Sequence, residues 1–197
     1  DVIMEIMLQW EKILLDALNT SAKSSQQVIN DVIAQVGEVL NADVAALYVK
    51  DKQGDLDCQY IWSKNQSMSA EEYVTEWQRA NMKFRSWQNG QGSGKLVDKG
   101  YLVIDAKHMD EAAKKIMSGG PVKSFTAVPV YVNGNYGAVF VLANTSINKL
   151  WTTEEIEFVK QTGDVLRSAL EKIESDDSVK RINSVLLDTY NYIDEGI

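Results

Sequence analysis

One cysteine and one histidine are all that this chain of 197 residues carries. A lone Cys58 rules out an internal disulfide, which suits the reducing cytoplasm where the chain is expected to reside. Cys58 and His108 together cannot assemble a Cys/His zinc site. Any Ser-His-Asp or Cys-His arrangement would have to use His108, and no nucleophile motif surrounds it. Long apolar runs are also missing. None exceeds Ala138–Ala143, far short of the ~20 residues that span a bilayer. No secretory signal pattern is visible, so no membrane contact is expected of these residues. Positive charge is scarce. Twenty Lys and Arg face 28 Asp and Glu, for a net charge of −8, whereas nucleic-acid binding calls for a positive surface. The chain opens at Asp1 without a Met and reads as a piece of a longer protein.

What is present is a core. The chain is 45% hydrophobic and long enough for one domain with extensions. The most informative stretch runs from Ser124 to Ile173. It opens with two β-rich runs, SFTAVPVYV and YGAVFVLAN, around Asn133-Gly134-Asn135, residues that tolerate the positive φ of a tight hairpin turn. A helix follows. Thr152 or Thr153 can cap it, and Glu154 and Glu155 suit the positive end of its dipole. Its apolar positions, Ile156, Val159, Gly163, Leu166, Leu170 and Ile173, follow the 3-4 spacing of a coiled-coil seam.

Upstream, residues 2–18 read as a helix with a second such stripe through Ile3, Met7, Trp10, Leu14 and Ala17. This is either a coiled-coil seam or an amphipathic face packed on its own domain. A further helix is predicted from Ser24 to Leu40, with Ile29, Val32, Ile33, Val36 and Leu40 on one face. Asp43–Val49 reads as a strand, with Val44, Ala46 and Tyr48 on one face against Ala45, Leu47 and Val49 on the other. Leu56–Trp62 alternates as a half-buried strand with Leu56, Cys58, Tyr60 and Trp62 on one face. Helical spacing returns over 70–88, a Gly-rich loop spans Gly90–Gly94, and Leu102–Ile104 is a short strand. A short helix over Asp110–Met117 stops at Gly119-Gly120-Pro121. This order predicts an α+β domain with an antiparallel sheet. The terminal helices would cover one face and the middle insertion the other.

Between Ser21 and Ile173 the chain resembles a GAF domain, a small-molecule sensor module common in bacterial signalling proteins. The resemblance rests on the order and spacing of QQVINDVIAQVGEVLNADVAALYV, YLVID, GGPVKSFTAVPVYVNGNYGAVFVLANT and WTTEEIEFVKQTGDVLRSALEKI. It implies a central antiparallel sheet of five or six strands, helices on both faces and long N- and C-terminal helices. Residues 1–20 would then be a signalling helix, 21–173 the sensor domain and 174–197 a linker helix. The end of the chain, SVLLDTYNYIDEGI, resembles the first helix of a PAS domain. The parent would be a multi-domain sensor, such as a histidine kinase or a diguanylate cyclase, with a downstream signalling domain as partner.

The resemblance places a ligand pocket between the sheet and the inserted helices and loops. Trp62, Trp77, Trp87, Asp105 and Ser124 are the candidates to line it, aromatic walls with a few polar groups suited to a small organic molecule. Each also has a structural reading: the Trp residues as core packing, Asp105 as the cap of a turn. The run Gly90-Gln91-Gly92-Ser93-Gly94-Lys95 departs from a phosphate loop at Asn89 and Leu96. Cys58 stands in the second strand, whereas the chromophore cysteines of bilin-binding relatives fall later in the fold, so it reads as a buried small hydrophobe. His108 reads as a turn residue rather than a haem ligand. Asn148-Lys149 and Phe158 match part of a cyclic-nucleotide signature, but Thr162-Gly163 stand where it needs Asp-Glu. The cofactor stays unidentified. The expected activity is non-enzymatic: a homodimer through the terminal helices that passes a ligand-induced bias along the last helix, or a ligand-free dimerisation spacer. The phase break at residues 174–178, before Val179, Ile182 and Leu186, is the expected switch point.

Overall fold

The computed structural model describes residues 1–19, 22–64, 93–108, 111 and 122–195. The helix predicted over 70–88 lies outside them, as does that over 110–117 apart from residue 111. Helices α1 (Val2–Leu18) and α2 (Ser25–Val39) precede strands β1 (Val44–Lys50) and β2 (Leu56–Ser63). Helix α3 (Ser93–Lys99), strand β3 (Leu102–Ile104), strands β4 (Ser124–Val132) and β5 (Asn135–Asn144), and helix α4 (Thr153–Glu195) complete the order. The five strands pair antiparallel in the order β2-β1-β5-β4-β3. The architecture is α+β, as the sequence predicts. Helix α3 was not expected; it begins inside the predicted Gly-rich loop, at Ser93.

Local chemistry explains the ends of these elements. Ser24 caps α2 by accepting the Gln27 N–H at 3.2 Å. Thr152 and Glu155 form a reciprocal capping box on α4. The Glu155 N–H donates to Thr152 Oγ1 at 3.1 Å, and the Thr152 N–H donates to the Glu155 carboxylate at 3.0 Å. The β4–β5 turn is Asn133-Gly134 alone, with φ of 51° and 81°; Asn135 already belongs to β5. Two consecutive positive φ values are the type I′ geometry whose twist suits a hairpin.

The sheet has two apolar faces. On the first, α1, α2 and α4 pack over Ala45, Leu47, Val128, Val130, Ala138, Phe140 and Leu142. The second carries Val44, Ala46, Phe125, Ala127, Val139, Val141 and Ala143, with Leu96 of α3 packed among them. The alternation predicted for β1 matches these faces. That for β2 does not. A bulge shifts the register, so that Tyr48 pairs with Cys58 but Leu47 with Tyr60. One extra residue reverses the side to which every later side chain points. Leu56 and Cys58 therefore join the second face, while Tyr60 and Trp62 join the helix side.

The 3-4 stripe of α4 is not a free coiled-coil seam over its first half. Val159, Leu166 and Leu170 are buried, and Ile156 and Ile173 pack against the same core. A 3-4 repeat marks any helix face that covers a core, so spacing alone could not tell the two apart. Helix α1 divides between both readings. Trp10, Ile13, Leu14 and Ala17 pack on the domain, and the Trp10 ring stacks on Phe158 at 5.0 Å. Ile3 and Met7, nearer the chain start, are 64% and 48% exposed.

Candidate functional site

The second face of the sheet has a shape that follows from register. One row crosses all five strands: Ile61, Ala46, Val141, Ala127 and Leu102. The next holds Val44, Ala143, Phe125 and Ile104. On the three inner strands of this floor Ala46, Ala127 and Ala143 alternate with Val44, Val141 and Phe125, and all six are buried. Such a floor offers dispersion contacts and few hydrogen bonds. Cys58 lies on this face. Burial, then the charge of Asp57, pushes its thiol up to about 11, so it is a poor nucleophile at neutral pH.

The sequence-predicted site residues are distributed otherwise. Trp77 and Trp87 lie outside the described residues. Trp62 is on the helix side, its ring against Gly37 of α2. A Cβ built on Gly37 would come within 2.4 Å of that ring. Ser124 and Asp105 are fully buried, and both serve the connection between β5 and α4. Ser124 Oγ accepts the Lys149 N–H at 3.1 Å. Asp105 Oδ2 accepts the Trp151 N–H at 3.1 Å, while Oδ1 accepts the N–H groups of Lys107 and His108 at 2.9 and 2.8 Å. His108 Nδ1 is also 2.8 Å from Oδ1; because a carboxylate only accepts, this nitrogen carries the hydrogen. Burial alone would raise the Asp105 carboxyl. The hydrogen bonds from Trp151, Lys107 and His108 outweigh it and hold the group below its ordinary range.

A second carboxylate acts on the same connection, and sequence reasoning missed it. Asp43 Oδ2 accepts the N–H and hydroxyl groups of both Thr145 and Ser146, at 2.8 to 3.3 Å. Burial raises this group too, and those four bonds again bring it below its ordinary range. Lys149 adds an ion pair to Glu155 at 2.6 Å and a bond from Nζ to the Leu40 carbonyl. The only signals in the sequence were an Asp just before a strand and a Thr-Ser pair just after another. Nothing in their spacing of about a hundred residues predicts that they meet.

Two clefts flank α4. One, of about 600 Å³, is lined by Tyr101, Lys107, His108, Trp151, Glu154 and Lys160. The other, of about 750 Å³, lies between the starts of α1 and α4, along Ile3, Met4, Met7 and Phe158. Among the described residues no group of three His, Cys, Asp or Glu could hold a metal ion, and no helix is long and apolar enough to cross a membrane.

Comparison with solved structures finds the same fold. The phycocyanobilin-bound GAF domain of a cyanobacterial phytochrome superposes with a TM-score of 0.62 at 14% identity, over 83% of this chain and 94% of that one. The GAF domain of a phosphoenolpyruvate-protein phosphotransferase from Coxiella burnetii gives 0.60 at 14%, over 89% and 98%. That of a protein named as a sensor histidine kinase from Pseudomonas syringae pv. tomato gives 0.58 at 10%, over 89% and 96%. At these identities the likeness speaks for the fold alone. No curated protein sequence matches the chain. The family model described as GAF domain matches residues 24–170, and this chain therefore belongs to the GAF domain family.

Proposed function

We propose that this chain is a non-catalytic sensing module that binds a small organic molecule on the second face of its sheet and signals as a dimer. The observation that carries the output half is the side on which α4 is apolar. Through Leu170 its apolar face is buried in the domain. Beyond Glu174 the aliphatic side chains among the described residues are Val179, Ile182, Val185, Leu186, Leu187 and Ile193, which are 52 to 63% exposed. At roughly 100° per residue, Leu186 lies about 160° around the axis from Leu170. The stripe thus changes sides at residues 174–178 and turns away from its own domain, where a second copy can cover it as a parallel helix pair. Residues 174–197 would then be the output linker to a downstream domain, and 1–20 its N-terminal counterpart. The apolar floor suits a ligand that is itself largely apolar. Cys58 is unsuited to hold it covalently.

One observation favours the alternative, a ligand-free dimerisation spacer. Trp62, Asp105 and Ser124 are all engaged in internal packing or hydrogen bonds. A thermal-shift screen with metabolites and chromophores separates the two readings, since a spacer responds to none of them. The dimer has its own test. Light scattering on the chain at tens of micromolar should give twice the monomer mass. Ile182→Lys with Leu186→Lys should return it to monomer with an unchanged melting temperature. A parent chain that is already monomeric would end the helix-pair reading.

A further inference from the structure

Strand β3 belongs to both sides of the sheet. Leu102 and Ile104 pack on the second face, Val103 packs in the helix-side core, and Asp105 follows with its carboxylate on the helix side. We propose that Asp105 is a positioning residue that couples the end of β3 to the start of α4, with His108 as the outer catch of this latch. The inference rests on the reading above, in which ligand binds the second face and α4 carries the output. It adds the route between them.

The geometry is a single carboxylate shared by two pieces of chain. Oδ1 is taken by the 105–108 turn, through the N–H groups of Lys107 and His108 and the His108 ring. Oδ2 is taken by Trp151, two residues before α4 begins. A parallel tie runs from the Ala106 N–H to Asn148 Oδ1 at 3.3 Å. A movement of β3 therefore cannot displace the carboxylate without loosening the Trp151 N–H, which is buried. The catch is open to the outside: the His108 side chain is 49% exposed, whereas that of Asp105 is 0%. Removing the ring leaves Asp105 in place but takes away one of the bonds that fix its rotation.

Amide hydrogen exchange on the full chain tests the latch. His108→Ala touches only Oδ1, so a purely local role changes nothing at Trp151. Coupling predicts that the Trp151 amide exchanges about three- to tenfold faster, the equivalent of one hydrogen bond's net worth, while the Val139 and Phe140 amides keep their protection. His108→Asn, whose side-chain amide can still donate to Oδ1, should restore most of the protection. An unchanged Trp151 rate in His108→Ala would overturn the proposal, and so would an equal rise at Val139 and Phe140, which reports general destabilisation. No ligand is used. A silent ligand screen would therefore leave this result standing, and failure of the latch would leave the ligand reading intact.

Discussion

Asp105→Ala is expected to lower the melting temperature by roughly 6–12 °C, the equivalent of about 3 kcal/mol. The loss comes from orphaned donors rather than from lost charge. The Trp151 N–H is buried, and without Oδ2 it has no acceptor; the Lys107 and His108 amides lose theirs together. A buried donor left unpaired costs about 1–3 kcal/mol, more than a surface contact of the same length. The pH dependence follows from the direction of the shift. Asp105 is held below its ordinary value of 3.8 in the fold, so the folded chain binds fewer protons than the unfolded chain in mild acid. Its contribution is complete above the ordinary carboxylate range and is lost as pH falls through the folded value. The melting curves of the parent and of Asp105→Asn should therefore lie apart at pH 7 and converge as pH falls below 3.8 and through the folded value. Asp43, shifted the same way, leaves some acid sensitivity in the variant. Melting temperatures that already coincide at pH 7 would show that the Asp105 carboxylate adds no stability of its own.

Gly37→Val should be comparably damaging, by about 3 kcal/mol, for the opposite reason. Here the fault is too much matter in a filled space. Added Cβ density meets the Trp62 ring at 2.4 and 2.5 Å and Ala45 Cβ at 3.2 Å. A rigid indole wedged between α2 and β2 cannot yield as a flexible chain end could. A double variant distinguishes this clash from a general dislike of valine in a helix. Gly37→Val combined with Trp62→Leu should recover at least half of the lost stability, a coupling expected only for side chains in contact. Chemical denaturation of the four proteins measures it. Additive losses would remove Trp62 from the explanation.

Much of this fold could be read along the chain because the informative contacts are local. Ser24 with Gln27, Thr152 with Glu155, and Asn133-Gly134 are neighbours in sequence, so caps and turn follow from residue type and spacing. The alternation of Val44 to Val49 likewise obeys the period of a strand. Period failed in β2, where a single bulge between Cys58 and Tyr60 moved Trp62 from the expected pocket to the helix side. It was ambiguous in α4, where the 3-4 spacing of Ile156 to Ile173 fits a coiled coil and a core face equally. The candidate site was the least legible part. The apolar floor of the second face is made by register across five strands, and Ala46, Val141 and Ala127 become neighbours only in the sheet.

By itself the sequence determined the class of the protein: an acidic α+β domain with a single thiol, a hairpin at its centre and amphipathic helices at both ends. It determined these because composition, caps, turns and periodicity act over a few residues. Tertiary structure alone decided which face each side chain serves. It spent the first half of α4 on the core and turned the second half outward. It also gathered Asp43, Asp105 and Ser124 around the same eight-residue connection. Those pairings span 25 to 103 residues of chain. No local preference encodes them; they exist because closing the sheet brings two carboxylates and a hydroxyl to the backbone N–H groups of this connection.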